Sequence, residues 1–280
     1  MKIARNRQLI GSVLTGLVFI ALYCPVLIWL VGIWLNNPYY SHGFLILPVA
    51  AFIAWTKRKE LVRAKPYLTG VIVLAAGLAT YVAGFAWRIH WLWAFSLLVA
   101  ALGLVLYFWG TKAARSMAFP ICFLIFMIPL PFLDSMSIPL QSISASGSTS
   151  AVQAIGIPAT RTGAEIHLPG AAFTIGMPCS GMNTLISLLA LATLLLYFLK
   201  APFYKKASLF LLTFPIAILA NILRIALLLV IAHLWGTEVA MTFFHDFSSL
   251  LMFILAMALL FLLTKLLRCK FRRLAELTNG

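Results

Sequence analysis

Residues 207–234 read ASLFLLTFPIAILANILRIALLLVIAHL, and this stretch decides what kind of fold the chain can have. Beyond Asn221, Arg224 and His233 it holds only apolar side chains, two small hydroxyls and one Pro. A helix that spans a bilayer needs about 20 mostly apolar residues, and this run exceeds that length. Seven more apolar runs lie along the chain, at residues 9–35, 40–55, 68–87, 91–109, 116–132, 183–199 and 247–267. The expected fold is an all-α polytopic membrane protein with about eight transmembrane helices, forming a single integral membrane domain over residues 1–280.

The composition points the same way. Of 280 residues, 63% are hydrophobic and 10% charged, against about 45–50% and about 25% in soluble domains. A mean hydropathy of +1.05 leaves too little polar surface to cover a water-soluble globule. These values exclude a disordered chain, a disulfide scaffold and a soluble DNA-binding domain. The first apolar run follows Lys2, Arg5 and Arg7 as a signal peptide would. It exceeds the roughly 7–15 residues of a signal h-region and no A-x-A cleavage site follows it, so it is expected to remain as a helix.

Orientation follows from the basic residues, which favour the cytoplasmic side. With the N-terminus inside, 18 of the 21 Lys and Arg fall in cytoplasmic segments, among them Lys57, Arg58, Lys59, Lys112, Lys205, Lys206, Lys265 and Arg268. Arg88 and Arg161 fall outside, and Arg224 lies within a span. Both termini are therefore expected in the cytoplasm. The net charge of +15 is read as a topology signal, with no nucleic-acid partner.

One extracytoplasmic segment, residues 134–177, is longer than the rest. Residues 135–156 mix Ser, Ala, Gln and Gly with scattered Ile and Val, which suits a short helix at the interface or against the bundle. Residues 162–166 and 172–175 flank Leu168-Pro169-Gly170, the turn chemistry of a small β-hairpin.

Three polar residues stand out. Cys179 lies in Pro178-Cys179-Ser180-Gly181, at the mouth of the sixth run. Arg224 lies in Asn221-Ile222-Leu223-Arg224, within the seventh, and His245 in Phe244-His245-Asp246, just before the eighth. A thiol becomes a nucleophile when a neighbouring His or cation lowers its pKa. Cys179 sits where a helix begins, so backbone N–H groups there favour thiolate and suit an oxyanion. His245 can take and return the proton. Arg224 stays charged, and its planar donor fork suits a developing oxyanion or an anchored substrate carbonyl. Asn221 is on the same helix face as Arg224 and is a candidate substrate-binding residue. An intramembrane Arg normally faces a bundle interior or wet cavity. Arg224 lies about 15 Å below the end of its helix at a 1.5 Å rise, which is deep for a partner of an interfacial Cys. Structural readings stand beside these: Arg224 bonding a helix-end carbonyl, His245 capping at the interface, and Cys179 packing inertly.

Cys24 and Cys122 fall inside helices and are expected to act as small packing residues, while Cys269 lies on the cytoplasmic tail. No two cysteines share the outer side, so no structural disulfide is expected. His42, His90, His167 and His233 are scattered, without neighbouring Cys or carboxylate ligands, and no metal or other cofactor is assigned. Arg161 and Glu165 are read as a solvated loop that could touch a substrate.

The sequence resembles the exosortase/archaeosortase family of polytopic membrane cysteine transpeptidases. The likeness rests on Tyr40-Ser41-His42-Gly43-Phe44, Phe126-Met127-Ile128-Pro129-Leu130-Pro131, Pro178-Cys179-Ser180-Gly181, Asn221-Ile222-Leu223-Arg224 and His245-Asp246, in that order along nearly the whole chain. The resemblance implies an enzyme that cleaves exported proteins at a C-terminal sorting signal: a short motif such as Pro-Glu-Pro, a transmembrane helix and a basic tail. It implies an acyl-enzyme on Cys179, with His245 as general acid/base and Arg224 as oxyanion or substrate stabiliser. The acyl group would pass to an unknown acceptor or to water. The expected location is the cell (inner) membrane, multi-pass and in contact with lipid, with the site at the extracytoplasmic face. The competing class is a transporter or lipid carrier with Arg224 and Asn221 in a central polar cavity. Its expected sign, paired interrupted helices in two repeated halves, is not found. A third class is a non-catalytic scaffold that retains a partner helix.

Overall fold

The computed structural model describes residues 2–61, 67–176 and 180–272. The chain is mostly helical, and its contacts gather into two units, one running to Leu130 and the other from Pro131 to Arg273.

The first unit holds α1 (Lys2–Asn36), α2 (Gly43–Thr56), α3 (Leu68–Ala86) and α4 (His90–Phe123). Its tightest packing joins α3 to α4. Gly70, Gly77 and Gly84 recur at a seven-residue spacing and present one bare stripe of α3 to the α4 backbone. A Cβ at Gly77 would stand 2.6 Å from the Ala100 nitrogen, and one at Gly84 2.5 Å from that of Trp93. Small residues at such a seam let helices meet by dispersion, the attraction left to them in lipid.

Among the described residues four helices are long and apolar enough to cross a membrane: Leu14–Asn36, Leu68–Ala86, His90–Met127 and Phe203–Trp235. Three shorter apolar helices, Gly43–Thr56, Met182–Phe198 and Leu250–Leu266, accompany them. The fourth and fifth runs fall on either side of Gly110, whose φ of 76° and ψ of −174° kink His90–Met127 into two helical segments. Glycine reaches that conformation because it has no Cβ to clash. Large apolar side chains cover the outside, among them Ile28, Leu45, Leu68 and Phe203. Water would not tolerate such a surface, and the protein is an integral membrane protein. Cys24 and Cys122 correct the expectation of packing: both are exposed, because a thiol suits an apolar exterior as well as a core.

The second unit holds α5 (Phe132–Ala154), β1 (Thr160–Thr162), β2 (Glu165–Leu168), β3 (Ala171–Thr174), α6 (Met182–Phe198), β4 (Leu199–Lys200), α7 (Phe203–Trp235), α8 (Thr237–Leu266) and β5 (Lys270–Phe271). The expected hairpin is present, with Leu168 paired to Ala171 around Pro169-Gly170 and Gly170 at φ 81°. It gains a third antiparallel strand, β1, which registers Thr162 against Glu165. The polar helix expected near residues 135–156 is α5, and it packs along α7. One cluster joins Ala145 and Val152 of α5, Ile166, Leu168, Phe173 and Ile175 of the sheet region, and Ile225, Leu229 and Ala232 of α7. The sheet and α5 therefore wrap the last turns of α7, while β4 and β5 pair at the opposite end.

Candidate active site

Helix α7 buries an amide and a guanidinium within the second unit. Asn221 is 2% exposed and Arg224 8%. Neighbouring helices meet each of them. Asn221 Nδ2 donates to Ser144 Oγ of α5 at 2.8 Å. Arg224 Nε donates to Ser248 Oγ of α8 at 3.0 Å. Both serines are buried, and a hydrogen bond to a charged group inside the protein contributes about 1.5–3 kcal/mol.

The start of α6 presses on the same part of α7. Gly181 caps the helix in the left-handed region at φ 83°, and a Cβ there would stand 2.7 Å from Asn221 Cγ. Glycine is required twice at this position, for its dihedral and for the close approach. Ser180, also buried, accepts the Met182 N–H on Oγ at 3.3 Å, and Leu185 N–H donates to Gly181 O at 2.9 Å. The Ser180 bond satisfies an N–H group that a helix start otherwise leaves unpaired, and the Leu185 bond is the first of the helix's own ladder.

Helix α6 begins beside Asn221, one turn deeper than Arg224 and well below the α7–α8 turn at Gly236. The chain touches α7 at Ile175, in the cluster with Ile225 and Leu229, and again at Gly181.

Of the predicted site residues, Arg224 and Asn221 are placed as above. Cys179 lies outside the described residues, two positions before Gly181. His245 falls within α8, three positions before Ser248, and its side chain lies outside the described part. Ser144 and Ser248 escaped the sequence reading. A signal for Ser144 existed: Ser137, Ser144 and Ser148 recur at helical spacing in α5, and all are buried. Gly147 on that helix abuts Ile222. Arg161 is exposed and donates to Gly163 O at 2.7 Å, closing the β1–β2 turn. Glu165 lies 3.9 Å from His167, both about half exposed.

In the first unit, His42 Nε2 bonds Phe126 O at 3.0 Å, and Trp34 Nε1 donates to Met127 O at 3.0 Å. The stretches 40–44 and 126–131 therefore meet, and the two side chains satisfy carbonyls where a helix ends.

Residues 34–262 match the model of the transmembrane exosortase family, a range that takes in all five stretches named above. The chain belongs to the transmembrane exosortase family. No curated protein and no solved structure matches it. The exosortase match runs from the end of α1 into the last third of α8, across both units.

Proposed function

We propose that this exosortase is a membrane-embedded cysteine transpeptidase that cleaves a C-terminal sorting signal from exported proteins. The observation that carries the reading is the convergence on one turn of α7. Gly181, two residues from Cys179, packs on Asn221, and Ser248, three residues from His245, holds Arg224.

In this reading the Cys179 thiolate attacks the scissile carbonyl next to the recognition motif. The developing oxyanion draws on the Arg224 terminal N–H groups, kept in orientation by Ser248. His245 gives a proton to the leaving amine, the peptide bond breaks, and a thioester on Cys179 remains. An acceptor amine, hydroxyl or water then attacks the thioester, His245 takes its proton, and the thiol is restored. The site faces the extracytoplasmic side of the cell membrane. Substrates approach laterally through lipid, because their signal contains a transmembrane helix.

The test is mass spectrometry of the C-terminus of a motif-bearing substrate in cells with and without this protein. A truncated or acceptor-linked C-terminus is expected with the wild type and not with Cys179→Ser. The variants Cys24→Ala, Cys122→Ala and Cys269→Ala should remain active. The same processed C-terminus with Cys179→Ser at normal abundance would overturn the mechanism.

A further inference from the structure

The end of the second unit farthest from the three-stranded sheet carries a charge arrangement that the proposed chemistry does not use. Strands β4 and β5 set Lys200 directly opposite Lys270, and like charges so opposed weaken a strand pair. Arg272 donates its backbone N–H to Phe198 O at 2.8 Å and lies close enough to Lys206 to repel it. Arg268 ends α8 at φ 52°, in the left-handed region that favours glycine. Lys205 Nζ donates to Leu267 O at 2.8 Å and ties the start of α7 to the end of α8. The fold thus concentrates cations here against their mutual repulsion and, at Arg268, against backbone preference.

An apolar groove of about 370 Å³ opens between α7 and α8, lined by Leu212, Pro215, Leu219, Leu259, Leu262 and Leu266 among others. Leu266 is the neighbour of Leu267, whose carbonyl holds Lys205. The basic cluster therefore stands at one end of the groove. The volume lies in the usual range of small-molecule sites, about 300–1,000 Å³.

We propose that this end of the second unit seats one anionic phospholipid, its headgroup on the basic cluster and an acyl chain in the α7–α8 groove. Each Lys or Arg near a membrane surface attracts anionic headgroups, and basic pockets between helices are where such headgroups bind. A zwitterionic lipid brings a compensating cation and gains less. A bare phosphate has nothing for the groove. A substrate helix laid in the groove would carry its basic tail into a cluster of the same sign, so the lipid is the better occupant. The seat is independent of the Cys179 chemistry.

The test uses the full chain purified in neutral detergent and exposed separately to phosphatidylglycerol, phosphatidylcholine and inorganic phosphate. Native mass spectrometry reads the retained lipid, and the thermal midpoint reads stabilisation. Phosphatidylglycerol is expected to be retained at least about tenfold over phosphatidylcholine. The triple variant Lys200→Gln, Arg268→Gly, Lys270→Gln should lose that preference, and Arg268→Gly also relieves the left-handed backbone. Leu262→Trp, which fills the groove and leaves the cations in place, should lower phosphatidylglycerol retention and serves if the triple variant does not fold. Equal retention of the two lipids would overturn the proposal. So would inorganic phosphate that stabilises as well as phosphatidylglycerol, or a basic-tailed helical peptide that displaces it from the groove.

Discussion

Arg224 and Ser248 face each other across a helical hairpin, equally far along the chain from Gly236, with Arg224 Nε donating to Ser248 Oγ at 3.0 Å. The bond restrains the guanidinium through its Nε. A lysine at 224 would keep the charge and lose the planar fork.

Arg224→Lys is therefore expected to insert normally and to lose about 10²–10³ in turnover, the usual effect of removing one preorganised oxyanion donor. Ser248→Ala should cost about tenfold or more through loss of a bond to a charged group, and Ser248→Thr should restore most of it. The measurement is kcat and KM on a matched substrate. Near-wild-type cleavage by Arg224→Lys would make Arg224 a structural element of the hairpin.

Gly181→Ala should destabilise the start of α6. The left-handed dihedral costs an alanine about 1–2 kcal/mol, and the new Cβ would meet Asn221 Cγ at 2.7 Å. Adding Asn221→Ala should recover part of the steric cost, since Asn221 Cβ would still stand 2.9 Å away, and leave the conformational part. Denaturant unfolding of the two single variants and the double variant measures the coupling. Additive losses would mean that Gly181 and Asn221 do not press on each other.

The charge asymmetry predicts residues 57–65 and 200–206 in the cytoplasm and residues 134–173 outside. In a background free of other reactive thiols, Ser150→Cys should react with an impermeant thiol reagent on intact cells, and Lys59→Cys should be protected. The reverse pattern would invert the topology.

Glu60 sits in a short turn after α2, where its Oε1 accepts from Lys57 Nζ at 2.8 Å and its Oε2 accepts from the Ser116 hydroxyl. Burial alone would raise its pKa, but the Lys57 and Ser116 bonds and the charges of Lys57 and Lys112 outweigh it. The carboxyl therefore lies below its ordinary value of 4.5. A depressed carboxylate contributes stability that is fully present above the unfolded value and is lost as pH falls through the folded one. Thermal midpoints taken from about pH 7 down to about pH 3 should drop more steeply for the wild type than for Glu60→Gln. Parallel curves would show that the Lys57–Glu60–Ser116 cluster contributes nothing.

The sequence alone determined that this chain lives in a membrane, where most of its helices run, and where a hairpin turns at Pro169-Gly170. Each of these depends on composition over a local window or on the chemistry of one turn. It also singled out Asn221 and Arg224, because a polar residue in an apolar run is costly wherever it points. What it could not determine is which faces of the helices meet. In lipid the outer face of a helix is as apolar as the inner, so the periodicity that marks a buried face in water is largely absent. Only the tertiary structure joined Ser144 to Asn221 and Ser248 to Arg224, and sank the start of α6 to the level of Asn221. Those outcomes rest on close packing between segments distant in the chain. There a missing Cβ at Gly181 or a single serine hydroxyl decides the contact, and neither leaves a mark in hydropathy.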